Sequence, residues 1–116
     1  MDIGTGMDTV TILIADDHDL VRSGLSRMLG SVNGFTVVGE VASGEEALDQ
    51  AEVLKPGVVL MDVRMPGMGG IEATSRMARR APDSRVIALT ACADDPFPDR
   101  LLEAGIWAEV TLAHNP

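Results

Sequence analysis

The spacing of apolar runs constrains this chain more than any other feature. Four short runs, Thr11 to Ala15, Phe35 to Val41, Val58 to Met61 and Val86 to Leu89, are separated by longer segments whose apolar residues recur at helical intervals. Val58-Val59-Leu60-Met61 is apolar at every position. That pattern suits a strand covered on both faces, because a strand with one wet face alternates. Between the first two runs, Val21, Leu25, Met28, Leu29 and Val32 fall on one side of a helix. The second helical segment opens with Ser43-Gly44-Glu45-Glu46, a capping-box pattern, places Ala47, Leu48, Ala51 and Leu54 on one side, and is stopped by Pro56. A third runs from Gly70 to Arg80 ahead of Pro82. A short fourth, Pro98 to Ala104, is capped by Gly105 and leads to a fifth strand near Ala108 to Leu112.

Strands alternating with helices give right-handed βαβ units and a parallel sheet with helices on both faces. The expected class is therefore α/β, in one domain: 116 residues with 46% hydrophobic content suffice for a single core. Residues 1–10 carry no apolar periodicity and read as a flexible tail before a domain over 11–116. Nine basic against eighteen acidic residues leave a net charge of -9. A surface of that sign repels a phosphate backbone, so no direct nucleic-acid binding is expected of this chain. The single cysteine, Cys92, excludes an internal disulfide, and no apolar run is long enough for a membrane span, so the expected location is cytoplasmic, with no membrane partner.

Three carboxylates are delivered to one edge of this sheet. The first strand ends in Ala15-Asp16-Asp17 and the third in Met61-Asp62. In open α/β sheets the carboxyl edge carries the ligand site, and in a flavodoxin-like order strands one and three are neighbours whose loops converge. Carboxylates brought together repel and raise one another's pKa. A divalent cation removes that cost, and an all-oxygen set with room for water suits Mg²⁺. Beside such an ion, Asp62 is placed to attack a phosphorus centre. Thr90, after Ala88-Leu89, brings a hydroxyl to the same edge.

Each feature has a plainer reading. Asp16-Asp17 after a strand also serves as a helix cap, Asp62 ahead of Met65-Pro66-Gly67 as a turn, and Thr90 as an ordinary strand end. Their coincidence on one edge favours a site. His18 reads as capping or flanking the first helix rather than binding metal, since magnesium prefers oxygen, and Cys92 as a small packing residue. Met65, Met68 and Met77 read as packing, and Arg76, Arg79 and Arg80 as a solvated helix end complementing the dipole.

The strings Ile12-Leu13-Ile14-Ala15-Asp16-Asp17-His18, Val59-Leu60-Met61-Asp62-Val63-Arg64-Met65-Pro66-Gly67-Met68-Gly69-Gly70 and Ile87-Ala88-Leu89-Thr90-Ala91 resemble those of CheY-like response regulator receiver domains, especially of the NarL/FixJ subfamily. The resemblance covers residues 11 to about 106 and implies a doubly wound five-stranded parallel sheet in the order 2-1-3-4-5. It implies that Asp62 accepts a phosphoryl group from a sensor histidine kinase. It further implies that Asp17, Asp62 and the backbone carbonyl of Arg64 hold Mg²⁺ with help from Asp16, and that Thr90 moves toward the phosphoryl group. Such a chain is a signalling domain, not an enzyme beyond taking up and releasing its own phosphoryl group. In this subfamily a helix-turn-helix DNA-binding domain usually follows and supplies the transcriptional output.

Two departures from that pattern stand out. The family carries a lysine at the end of the fifth strand, and in the same register this chain has Leu112. Its one lysine, Lys55, precedes the third strand, at the opposite edge. The sequence given also stops at Pro116, where the family continues into a fifth helix. An uncovered sheet face would favour homodimers. The rival to a phosphorylated switch is therefore an atypical receiver that acts as a phosphorylation-independent interaction module. An aspartate-nucleophile phosphatase would want a second carboxylate two residues after Asp62, where Arg64 stands.

Overall fold

The computed structural model describes residues 9–90 and 105–111. Five parallel strands, β1 (Val10–Ala15), β2 (Phe35–Val41), β3 (Val58–Asp62), β4 (Arg85–Thr90) and β5 (Ile106–Thr111), lie in the order β2-β1-β3-β4-β5. The helices α1 (Asp19–Gly30), α2 (Gly44–Leu54) and α3 (Gly69–Arg80) connect them. This is the flavodoxin-like order that the sequence led us to expect, with β1 and β3 adjacent at the switch point. The helix expected over Pro98 to Ala104 and the residues Cys92 and Leu112 lie outside the described residues.

The uniformly apolar runs form the buried centre. Leu13, Ile14, Val59 and Met61 are fully covered, and Leu48 and Met77 close over the sheet from α2 and α3. Met65 and Met77 are buried and Met68 packs against the same cluster, so the methionines are packing residues as expected. Ser43 caps α2 by accepting from the Glu46 amide, while the Glu46 carboxylate accepts from the Ala42 amide. That is one residue earlier than a standard capping box. Lys55 ends the helix in the left-handed region (φ 49°), and Pro56 bars it from continuing in the right-handed helical region.

The first helix departs from expectation. It ends at Gly30, so Val32 lies beyond it, and none of its residues is buried. Leu25 and Leu29 are half-covered, whereas Val21 and Met28 are exposed. The apolar stripe is present, but among the described residues nothing closes over it. The arginines of α3 depart too: Arg76 pairs with Glu72 on its own helix, while Arg80 reaches across to Glu52 and Asp49 of α2. Arg80 therefore ties two helices together at the surface in addition to complementing its own dipole.

A candidate metal centre at the carboxyl edge of the sheet

Asp16 and Asp17 follow β1 directly, and Asp62 is the last residue of β3. Because β1 and β3 pair in parallel with Ala15 opposite Met61, the two chain segments leave the sheet side by side. The local folding then fixes each carboxylate. Asp16 is buried at 2% exposure, its Oδ1 accepts from the His18 amide at 2.8 Å, and its carbonyl accepts from Arg22 of α1 at 2.7 Å. Arg22 also bonds Asp19 and lies near Glu40, so it pins the turn between β1 and α1. Asp62 Oδ1 accepts from the Arg64 amide at 3.0 Å, which turns the chain sharply out of β3.

The turn is held from the far side by α3. The Gly70 amide donates to the Val63 carbonyl at 3.1 Å, and a Cβ at position 70 would stand 2.2 Å from the Asp62 carbonyl oxygen. Only glycine permits this approach. The intervening loop also uses Gly67 at φ 76°, beside the Glu45 carboxylate. Glycines that look like turn punctuation in the sequence thus set how close the start of α3 comes to the end of β3.

The side chains converge with a fourth member. Asp16, Asp17, His18 and Asp62 each offer one donor atom, and these atoms lie within 4.8 Å of one another. His18 Nδ1 is 3.1 Å from Asp16 Oδ1, 3.2 Å from Asp17 Oδ1 and 3.9 Å from Asp62 Oδ2. His18 stands at the start of the first helix, as expected, and its ring also meets the carboxylates. It occupies the N-cap position, but its side chain makes no capping bond and its ring faces the carboxylates instead. Arg22 was also missed; an arginine one helical turn after a strand-end Asp-Asp pair is too common a surface residue to single out.

Electrostatics follow from the crowding. Burial, reinforced by the charges of Asp16 and Asp17 and opposed by the Arg64 amide and His18, raises the Asp62 carboxyl to about 6. The hydrogen bond to Asp16, with the charges of Asp17 and Asp16, raises the His18 imidazole above its ordinary value. Asp17 Oδ1 is buried and makes no hydrogen bond. A buried carboxylate oxygen without a hydrogen bond is costly, and a divalent cation is a partner that fits it together with the neighbouring Asp16 and Asp62 carboxylates. The donor set therefore suits Mg²⁺. Thr90 ends β4 at the same edge, one residue beyond Leu89, which pairs with Asp62, and it pairs in turn with Thr111 of β5.

The receiver-domain family model, described as "Response regulator receiver domain", matches residues 12–111. The chain belongs to this family. Over 102 residues it is 58% identical to the response regulator GacA of Pseudomonas syringae, covering 88% of this chain and 48% of that protein. It is 43% identical over 96 residues to the response regulator UvrY of Escherichia coli, covering 83% and 44% respectively. Among solved structures, the receiver domain of the putative response regulator NarL from Mycobacterium tuberculosis superposes with a TM-score of 0.86 at 29% identity, over 93% of this chain and 87% of that one. The receiver chain spans about half the length of the curated relatives it matches. Among its described residues no helix is long and apolar enough to cross a membrane.

Proposed function

We propose that this receiver takes a phosphoryl group on Asp62 from the phosphohistidine of a sensor histidine kinase, and that residues 11–116 form the phosphorylated unit. The observation that carries the reading is the convergence of Asp16, Asp17 and Asp62 at the switch point of a receiver fold, with Asp62 held by the Arg64 amide. In the transfer, a carboxylate oxygen of Asp62 forms the new bond to phosphorus as the bond from phosphorus to the histidine nitrogen breaks. Asp16, Asp17, Asp62 and the carbonyl of Arg64 would hold Mg²⁺, which when bound neutralises charge on the transferring phosphoryl oxygens. The Arg64 amide fixes the Asp62 carboxylate, Arg22 fixes the Asp16 turn, and glycine at position 70 lets α3 close on the end of β3. Thr90, at the same edge on the neighbouring strand, is the hydroxyl that would sense the new group. The full-length output is read as transcriptional, through a DNA-binding domain beyond this chain, acting in the cytoplasm.

The test is intact mass after Mg²⁺ and acetyl phosphate, comparing the protein with Asp62→Asn. A metal-dependent gain of about 80 Da, the mass of a covalent aspartyl phosphate, that is absent from the variant supports the reading. A folded sample that gains no mass overturns it. One observation favours the second reading, an interaction module that works without phosphorylation: Leu112 stands where the family carries its lysine. If phosphorylation proceeds but leaves oligomeric state unchanged in sedimentation, the second reading describes the output better.

A further inference from the structure

We propose that Asn33 is a self-modification site, where the carboxamide condenses with the Gly34 amide nitrogen to a cyclic imide that water opens to aspartate or isoaspartate. The inference is independent of the phosphorylation reading. It concerns the turn between α1 and β2, at the amino edge of the sheet and away from the carboxylates.

The turn leaves the reacting groups free. It closes through a hydrogen bond from the Phe35 amide to the Val32 carbonyl at 3.1 Å, so Asn33 and Gly34 are its two central residues. Gly34 has a φ of 92° and Asn33 a negative one, the pattern of a type II turn. In such a turn the peptide joining the central residues takes no part in the closing bond. Among the described residues the Gly34 amide and the Asn33 carboxamide have no hydrogen-bond partner, and both residues are exposed. Because residue 34 lacks a Cβ, no side chain of its own shields the backbone nitrogen from Asn33 Cγ.

The steps balance with water alone. Once its proton passes to a solvent base, the Gly34 nitrogen bonds to Asn33 Cγ as the bond from Cγ to Nδ2 breaks, and ammonia leaves. Water then cleaves one of the two imide bonds. Cleavage between Cγ and nitrogen gives aspartate on the original backbone. Cleavage of the original peptide bond gives isoaspartate, with the main chain running through the side chain and longer by one carbon. The other side-chain amides are closed to this route. Asn115 precedes Pro116, which has no N–H, and Gln50 would need a larger ring while held within α2.

The two products differ in consequence. The Gly34 carbonyl accepts from the Val10 amide at 2.7 Å, beside the Val10–Phe35 pair that opens the β1–β2 ladder. An extra main-chain carbon before Gly34 displaces that carbonyl and opens the turn, so the isoaspartyl form frays the start of the ladder. Aspartate at position 33 keeps the turn and adds one negative charge to a chain already at -9.

The test holds the folded chain in mildly alkaline buffer beside Asn33→Gln and Asn33→Asp. In the wild type an amide-to-acid mass gain, placed at residue 33 by peptide mapping, is expected to grow with time and faster as pH rises. Asn33→Gln is expected to lose it. Electron-transfer fragmentation separates isoaspartyl from aspartyl product, and the isoaspartyl fraction is expected to melt below the unmodified chain, whereas Asn33→Asp melts with it. A folded chain that gains no mass at residue 33, while the same chain unfolded in urea does, overturns the proposal. A gain that maps to Gln50 overturns it too, and an isoaspartyl fraction with an unshifted midpoint overturns the assigned effect on the ladder.

Discussion

Replacing Asp62 by asparagine should stabilise the metal-free protein at neutral pH. Burial and the neighbouring charges of Asp16 and Asp17 move the Asp62 carboxyl from 3.8 to about 6, and its side chain is 15% exposed, so water does little to screen the effect. A carboxyl whose folded pKa is raised binds its proton more tightly when folded. Its contribution to stability therefore falls as pH rises from 3.8 toward 6 and stays low above that. At 1.36 kcal/mol per pH unit, the ionised group costs about 3 kcal/mol at pH 7.5 and about 1 kcal/mol at pH 4.5. Asparagine keeps an oxygen to accept the Arg64 amide bond but carries no charge. With an unfolding entropy of about 2.1 cal/mol/K per residue, each kcal/mol moves the midpoint of a chain this size by about 4 °C. The amide is itself partly buried and returns some of the gain, so a rise of about 4 to 12 °C is expected at pH 7.5 in chelator. Thermal unfolding at the two pH values, with and without Mg²⁺, is the assay. The gap should narrow at pH 4.5, and it should narrow at pH 7.5 when Mg²⁺ is added, because only the wild type keeps all three carboxylates. An Asp62→Asn protein that is neutral or less stable at pH 7.5 without metal would refute the claim that crowding strains this site.

The scaffold makes three further predictions. Gly70→Ala should lower stability by about 1–3 kcal/mol or more in chemical denaturation, the range for overpacking, because its Cβ would meet the Asp62 carbonyl at 2.2 Å. The same variant should weaken Mg²⁺ binding in a calorimetric titration, since relief of the clash moves the end of β3. Ser43→Ala should cost about 1 kcal/mol by denaturant midpoint, the usual effect of losing an N-cap acceptor, with Mg²⁺ affinity unchanged because the Ser43 hydroxyl bonds Glu46 and none of the three aspartates. Thr74→Val should cost about 1 kcal/mol, as the buried Thr74 hydroxyl loses its 2.7 Å bond to the Gly70 carbonyl.

The strands were legible in the sequence because burial on both faces writes a local signature: Val58-Val59-Leu60-Met61 admits few other readings. The carboxylate cluster was legible for a similar reason. Parallel topology turns two strand-end positions into neighbours, so Asp16, Asp17 and Asp62 could be brought together from order alone. What could not be read depends on orientation. Whether the ring of His18 turns to the helix end or to the carboxylates is a choice of side-chain rotamer, and the sequence is identical in both cases. Arg22 and Gly70 share that limit: a hydrogen bond to the Asp16 carbonyl and a backbone approach to Asp62 are properties of the assembled loops. The stripe on α1 failed differently, since periodicity reports which residues share a face and not whether anything covers it.

The crowding at Asp62 also bears on how such a receiver could switch. A cation that fits three carboxylates binds the ionised cluster, and by linkage whatever charges the cluster further must tighten the cation and be tightened by it. Phosphorylation of Asp62 replaces one buried negative charge with a larger one at a site already short of positive partners. In a receiver with a lysine at the end of β5, part of that demand is met by a fixed ammonium. Position 112 in the sequence is leucine, so more of that demand would fall on the cation and on neighbouring groups such as the His18 ring, 3.1 Å from Asp16 and 3.2 Å from Asp17. The coupling between phosphoryl group and metal should therefore be stronger in this chain than where the lysine is present. Installing Leu112→Lys should weaken the coupling between cation and phosphoryl group, read as a higher half-saturating Mg²⁺ concentration for adduct formation by mass. A half-saturating concentration that does not move would show that position 112 carries no part of the charge balance.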